Sequence, residues 1–371
     1  MYKLKDWINI KNIDWRILSQ NPNAIHLLEQ NPVNIDWTHL PRNPNAIHII
    51  EKNLDKLDKY HCLDILSTNP NAIPIIEKNL DKIDDVAWWY LSSNPNAIDL
   101  LEKNLNKIWW NNLSLNKNPK AISLLEQNLD KLYEKCWEDL SSNPNAIPLL
   151  EKNPENIDWK MLSTNPNAIS LLEQNPDKID WFWLSENPNA IHLLEQNQDK
   201  ISWWMLSKNP NAIPIIEKNV DKLYRECWQN LTLNPNAIHL LEKNPDNIDW
   251  FWVSSNPNAI HLLEANPYKI HWHQLSANPN AIHLLEKNPG NIDWSWLSSN
   301  PNAIHLLEAN PDKIHWIKLS CNPSIFELDY EALNERCLIY KEELIQKSFH
   351  PSRIQKYLDM GISIDELYNC I

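Results

Sequence analysis

Glycine is almost missing from this chain, with two residues, Gly290 and Gly361, among 371. Hairpin-rich sheets and phosphate-cradling loops need glycine wherever the backbone takes positive φ or approaches a ligand closely, so such folds are close to excluded. Cysteine is sparse as well. Cys62, Cys136, Cys227, Cys321, Cys337 and Cys370 are scattered and form no C-x-x-C pair, which reads as reduced intracellular thiols and not as a disulfide framework or zinc site. Long apolar runs are absent. The opening MYKLKDWINIKN lacks the apolar stretch of a signal peptide, and nothing approaches a membrane span, so a soluble intracellular protein is expected. Basic charge is in deficit: 34 Lys and Arg stand against 48 Asp and Glu, for a net charge of −14. Affinity for nucleic acid comes mainly from cations displacing counterions, so this balance argues against a general nucleic-acid binder.

What the chain does have is repetition. The pentad NPNAI occurs twelve times, starting at Asn21, Asn43, Asn69, Asn94, Asn143, Asn165, Asn187, Asn209, Asn234, Asn256, Asn278 and Asn300. A variant NPKAI begins at Asn118 and a degenerate NPSI at Asn322; most spacings are 22 residues and the others 24 to 26. The unit reads I-D-W-x-x-L-S-x-N-P-N-A-I-x-L-L-E-x-N-P-x-K. Asp before Trp, as at Asp36-Trp37 and Asp180-Trp181, marks a helix N-terminus, since its carboxylate accepts from free N–H groups. Ile35 with Leu40, and Ile179 with Leu184, have the spacing of a hydrophobic staple. The run A-I-x-L-L-E forms a second short helix with one apolar stripe, as at Ala24, Ile25, Leu27 and Leu28. Proline at Pro74, Pro148 and Pro214 belongs in a first turn, which favours the second Asn of N-P-N (Asn71, Asn145, Asn211) as the cap.

Where Leu54, Leu80, Leu105, Leu129 or Val220 replaces the proline after E-x-N, the second helix is expected to run on, and Pro32→Leu is expected to lengthen the helix before it. A leucine-rich repeat of similar period is disfavoured, because W-x-x-L and I-x-L-L do not alternate as a strand does. The expected fold is all-α: a solenoid of about fourteen helix-pair repeats of 22–26 residues with a C-terminal helical cap. Residues 1–20 form a partial repeat, 21–326 the solenoid, and 327–371 a helical cap or docking segment. Its array would trace an arc on the order of 100 Å or more.

The run NPNAIHLLE followed by N-P-x-K-I-D-W-x-x-L-S, over residues 12 to 326, resembles repeat proteins encoded in many copies by giant DNA viruses of amoebae, the mimivirus-like group. Tyr340 to Leu367 is similar to the C-terminal tail of such proteins. The resemblance implies a viral source, in host cytoplasm or virion, and brings no catalytic residues with it.

No Gly-rich loop, metal cluster or nucleophile–base pair appears, so no catalytic, cofactor or metal residue is assigned. The repeat tryptophans (Trp15, Trp37, Trp159, Trp181, Trp250, Trp272, Trp294, Trp316) read as core. Trp183, Trp204, Trp252 and Trp296 fall one or two residues later and suit either a row that docks a partner or the filling of gaps between repeats. His239, His261, His283 and His305 stand at the variable position of AIxLLE in four consecutive units; one repeat apart they are too distant to share zinc, and a solvent-exposed position suits them. One-base-per-repeat RNA readers also vary such positions, but against a basic or stacking background this chain lacks. The recurring Glu of LLE, from Glu29 to Glu308, suits hydrogen bonding to a neighbouring turn, pairing with the lysine of D-K, or an acidic stripe facing a basic partner. The recurring Asn31, Asn53 and Asn79 suit bonds to free backbone groups and the αL conformation. Ser363 and Glu366 have the spacing of a capping box. The function expected is a non-enzymatic protein–protein interaction scaffold, with a virion or viral-factory component and an adaptor acting through residues 327–371 as alternatives.

Overall fold

The computed structural model describes residues 2–59 and 62–362; Ser363, Glu366 and Cys370 lie outside the described residues. The architecture is an all-α solenoid of repeated helix pairs, supplemented by one two-stranded antiparallel sheet. Most units contribute a first helix carrying the tryptophan, such as Trp159–Thr164, and a second helix, such as Ile169–Glu173; the third unit has Leu63 in the tryptophan's place, and the second has only a 3-10 turn, Leu40–Arg42. Asp supplies the first cap as expected: Asp158 accepts from the Met161 amide, and Asp14 from those of Arg16 and Ile17. The core lies between the two layers. Leu162, Ala168 and Leu172 of this unit are fully buried, as are their counterparts in nearly every other unit. Ile179 and Leu184, at staple spacing, are both buried.

Two side-chain ladders join unit to unit. In the first, Ser19 Oγ donates to the Trp15 carbonyl and accepts from the Asp36 amide of the next unit at 2.9 Å, and the bond recurs at Ser141, Ser163 and Ser276. In the second, the first Asn of N-P-N reaches back one repeat: Asn165 Nδ2 donates to the Ser141 and Asn143 carbonyls, both at 3.0 Å. These asparagines are buried, and their amides give a donor to the Ser141-type carbonyl at the end of the preceding first helix, while the Asn143 carbonyl also accepts from the Ala146 amide.

Three sequence expectations about the second helix are corrected. Neither Asn caps the helix itself: Ala72 precedes Ile73–Glu77 without a side-chain cap bond, Asn69 Oδ1 accepts from the Asn71 amide in the turn before it, and Asn71 Nδ2 donates to the Pro44 carbonyl of the preceding repeat. Pro74 is still accommodated, at the second position of Ile73–Glu77. Nor do the second helices lengthen when leucine or valine replaces proline. Ile98–Glu102 and Ile213–Glu217 stop just as Ile25–Gln30 does, and a single 3-10 turn follows in all three. The terminator is the Asn of E-x-N. Its backbone leaves helical space, near φ −129 and ψ 57 at Asn31, and its side-chain amide donates to the carbonyl four residues back, Asn31 to Leu27 at 2.9 Å. This is neither αL nor dependent on proline. The extra residues go elsewhere: into a separate helix at Leu54–Lys59, or into longer first helices at Asp85–Ser93, Glu134–Ser142 and Arg225–Leu233. In those longer helices the residue before the tryptophan is no longer a cap but a buried interior position, filled by Ala87, Cys136 and Cys227. Burial pushes both thiols above their usual value. The NPKAI copy is shifted as well. Asn116 occupies the ladder, donating to the Ser92 and Asn94 carbonyls, and the second helix starts early at Pro119–Glu126.

The larger correction concerns the ends. The array does not stop as an open arc. The first helix at Trp15–Ser19 packs against the last, Trp316–Cys321, and the Asp14 amide donates to Ser320 Oγ at 2.9 Å, the same bond that joins most pairs of neighbours, as at Ser19, Ser163 and Ser298. Strand β1 (Tyr2–Leu4) pairs antiparallel with β2 (Phe326–Leu328), Lys3 opposite Glu327, and the Lys5 amide donates to the Ile325 carbonyl. β1 also packs on the second helix Ile25–Gln30, so the sheet stands where a fourteenth second helix would be. Lys3 and Lys5 both pair with Glu327 at 3.2 Å. The solenoid is a closed ring. Residues 1–20 thus begin the first full unit and fasten the seam. The face expected to need a cap from residues 327–371 is covered instead by the first repeat. Helix Tyr330–Ser348 leaves the ring with none of its described side chains buried.

Candidate functional site

Closure gives the ring two unlike walls. Neighbouring first helices pack directly on one another, and a serine hydroxyl suffices to bridge them. Neighbouring second helices are spanned by long side chains: Lys78 to Glu51 at 2.8 Å and Lys103 to Glu77 at 2.7 Å. The closer spacing belongs to the smaller circumference, so first helices form the inner wall and second helices the outer. With axes roughly 8–10 Å apart and a helix radius of about 5 Å, the fourteen inner elements surround an opening of roughly 25–35 Å.

The outer wall carries the histidine candidates. His239 lies 2.9 Å from Glu217, His261 2.5 Å from Glu242, His283 2.8 Å from Glu264 and His305 2.7 Å from Glu286, each pairing with the LLE glutamate of the preceding repeat. His48 and His192 do the same with Glu29 and Glu173. The histidines are exposed, as expected, but they are ties between repeats. In three units where another residue replaces the histidine, a lysine four residues on forms the tie: Lys78 to Glu51, Lys103 to Glu77 and Lys152 to Glu126. The expected partner of the glutamates, the lysine of D-K, is engaged elsewhere: Lys200 lies 4.6 Å from the Trp181 ring centre, Lys269 4.5 Å from Trp250 and Lys313 4.7 Å from Trp294. Trp181, Trp250 and Trp294 are therefore partly buried under an ammonium lid and not enclosed in the core, whereas Trp37, Trp88, Trp137 and Trp228 are buried. No group of three or more metal-ligating side chains occurs among the described residues.

The inner wall carries the tryptophan candidates. Counting the repeat tryptophan as the first residue of its helix, the fourth and fifth residues face the core, and the second, the sixth and in most units the third point away from it, into the opening; third-position Asn112, Asp139 and Met205 are buried. Trp183, Trp204, Trp252 and Trp296 all occupy second or third positions. Trp252 and Trp296 are 41% and 39% exposed, and Trp183 and Trp204 half-buried. Further aromatic rings join them that sequence reading passed over. Phe182 stacks on Trp204 across two repeats at 6.1 Å, and Phe251 stands edge-on to Trp252 at 4.9 Å. Lysines were also missed: Lys208 on Trp204 and Lys318 on Trp296, both at 3.7 Å, and Lys160 on Trp183 at 5.3 Å. Reading every repeat at its second, third and sixth positions would have found them. Across all fourteen repeats these positions hold five cations (Arg16, Arg42, Lys160, Lys208, Lys318) against four anions (Asp64, Glu138, Asp139, Glu186). The acid excess of the chain therefore lies off the inner wall.

The fold and this wall define a class of protein: a closed helical-repeat ring with an aromatic arc on its inside. No protein-family model matches the chain, and neither a curated protein nor a solved structure does. No described helix is long and apolar enough to cross a membrane.

Proposed function

We propose that this protein is a non-enzymatic scaffold, of viral origin, that holds protein partners on the inner wall of its ring. The observation that carries the reading is the division of the repeat into constant and variable parts. Ladder asparagines, core leucines and outer glutamates recur from unit to unit, whereas the three inward positions change in nearly every unit and collect exposed aromatic rings. Side chains that maintain a repeat stay constant, and exposed aromatics on a rigid frame are the residue type that dominates protein interfaces. The adaptor reading keeps one supporting observation, the helix Tyr330–Ser348, which extends from the ring without burying any described side chain.

Affinity capture from infected amoebae tests these readings, comparing the full chain with one ending at Asp329, which keeps β2 and so the seam. Partners retained by both chains are the expected result. Partners lost with residues 330–371 would favour the adaptor, and recovery of mainly the protein itself with capsid components would favour a structural role.

A further inference from the structure

The inner lysines differ from the outer ones in a way that bears on the partner. On the outer wall Lys78, Lys103, Lys152 and Lys243 each hold a glutamate. On the inner wall Lys160, Lys208 and Lys318 rest on indole faces without a carboxylate partner among the described residues. An ammonium on an aromatic face keeps its charge and leaves hydrogens directed at solvent, so each lysine–indole pair offers an apolar plate with a cation on it. These three pairs lie in the seventh to fourteenth repeats, and Phe182, Phe251 and Trp252 provide bare apolar surface between them.

Resting on the scaffold reading above, we propose that this arc binds an extended protein segment carrying both carboxylates and apolar side chains, laid along the wall from Lys160 to Lys318. Charge complementarity selects the occupant. Carboxylates satisfy the unpartnered ammonium groups, and apolar side chains cover the exposed rings. A single-stranded nucleic acid also combines anionic groups with flat apolar ones. It carries a charge on every nucleotide, however, and meets a wall with nearly balanced charge on a protein of net charge −14. A peptide with a few carboxylates suits that balance better. Because the opening is much wider than an extended chain, the segment lies against one arc and does not plug the ring.

The test uses the full chain, with fluorescence anisotropy of labelled twelve-residue peptides in which Asp or Glu alternates with Leu or Phe. Saturable binding is expected, weakened by roughly tenfold or more in Lys208→Glu/Lys318→Glu and unchanged in Lys78→Glu on the outer wall. Circular dichroism checks that the variants stay folded; Lys208 is exposed, Lys318 is half-buried and neither forms an ion pair among the described residues, so folding is expected to survive. No saturable binding, equal binding by both variants, or tighter binding of a twenty-nucleotide oligo-dT or of a Lys/Leu peptide would each overturn the proposal. Its failure remains distinct from failure of the scaffold reading. Partners captured equally by the full chain and the inner double variant would refute the arc and keep the scaffold, whereas capture of no partner by any form would refute the scaffold.

Discussion

The two walls of the ring are built from one repeat, yet they use their charged side chains in opposite ways. Outside, glutamates and their histidine or lysine partners form a row of exposed ties between helices that stand apart. Inside, the helices touch, the joining bonds are short and buried, and Lys160, Lys208 and Lys318 are set on aromatic rings. Spacing decides the difference. A buried amide or hydroxyl can bridge only where backbones approach closely, and there an unmade bond costs most. The wider outer gap needs long side chains, whose exposed ion pairs contribute little.

The contrast can be broken experimentally. The largest effect is expected from emptying the core under both walls: Leu172→Ala, at a fully buried position, should destabilise by about 2–5 kcal/mol in chemical denaturation. Next comes the buried ladder. Asn165→Ala removes the donor from the buried Ser141 carbonyl, while the Asn143 carbonyl keeps the Ala146 amide, and should cost about 1–3 kcal/mol by the same measurement. Ser320→Ala at the seam and Ser163→Ala in mid-ring remove the same bond and should each cost roughly 1 kcal/mol. A seam variant without effect beside a destabilising mid-ring variant would argue that the ring is open in solution. Deleting residues 2–12 should likewise raise the radius of gyration measured by small-angle scattering. Smallest is the outer tie, where His261→Ala should cost under about 0.5 kcal/mol.

Acid sharpens the comparison from the inner side. Burial pushes the Asp36 carboxyl up, but hydrogen bonds from Thr38 and His39 more than reverse this and leave it below its ordinary value. The Arg16 hydrogen bond does the same to the Asp14 carboxyl against its partial burial. Asp293 is likewise lowered: burial raises it, and bonds from the Trp296 amide and His273 overcome that. A carboxylate lowered in the folded state contributes stability that is fully present above its unfolded value, about 3.9, and is lost as pH falls through the folded one. Unfolding followed by circular dichroism should therefore steepen below about pH 4, and Asp36→Asn should flatten that limb.

Much of the local structure was legible because it is local. The Asp-Trp cap, the short amphipathic helices and the paired layers follow from spacing within one unit and recur as written. The second helix was misread where two residues carry the same signal. Proline follows the Asn of E-x-N in most units and was taken as the stop, but Leu105 and Val220 follow the same Asn without extending the helix. The Asn side chain, bonding four residues back, is the stop, so Pro32→Leu should leave the helix ending at Gln30 in a crystal structure. Of the candidate site, the tryptophan positions were visible as departures from the repeat, while Lys208 and Lys318 were not, because an exposed lysine in an acidic chain carries no signal until its neighbour is known.

The sequence by itself determined the unit: its two helices, their caps, the asparagine stop and the apolar layer between them, all within about two dozen residues. Only the tertiary structure decided that fourteen such units close, that β1 meets β2, and which variable positions turn inward. The reason is geometric. Closure depends on a small rotation at each interface summed around the whole ring, and a small change in that angle would turn the same repeats into an open superhelix. No single unit encodes that sum, and the contact that fixes it joins residues 306 apart in the chain.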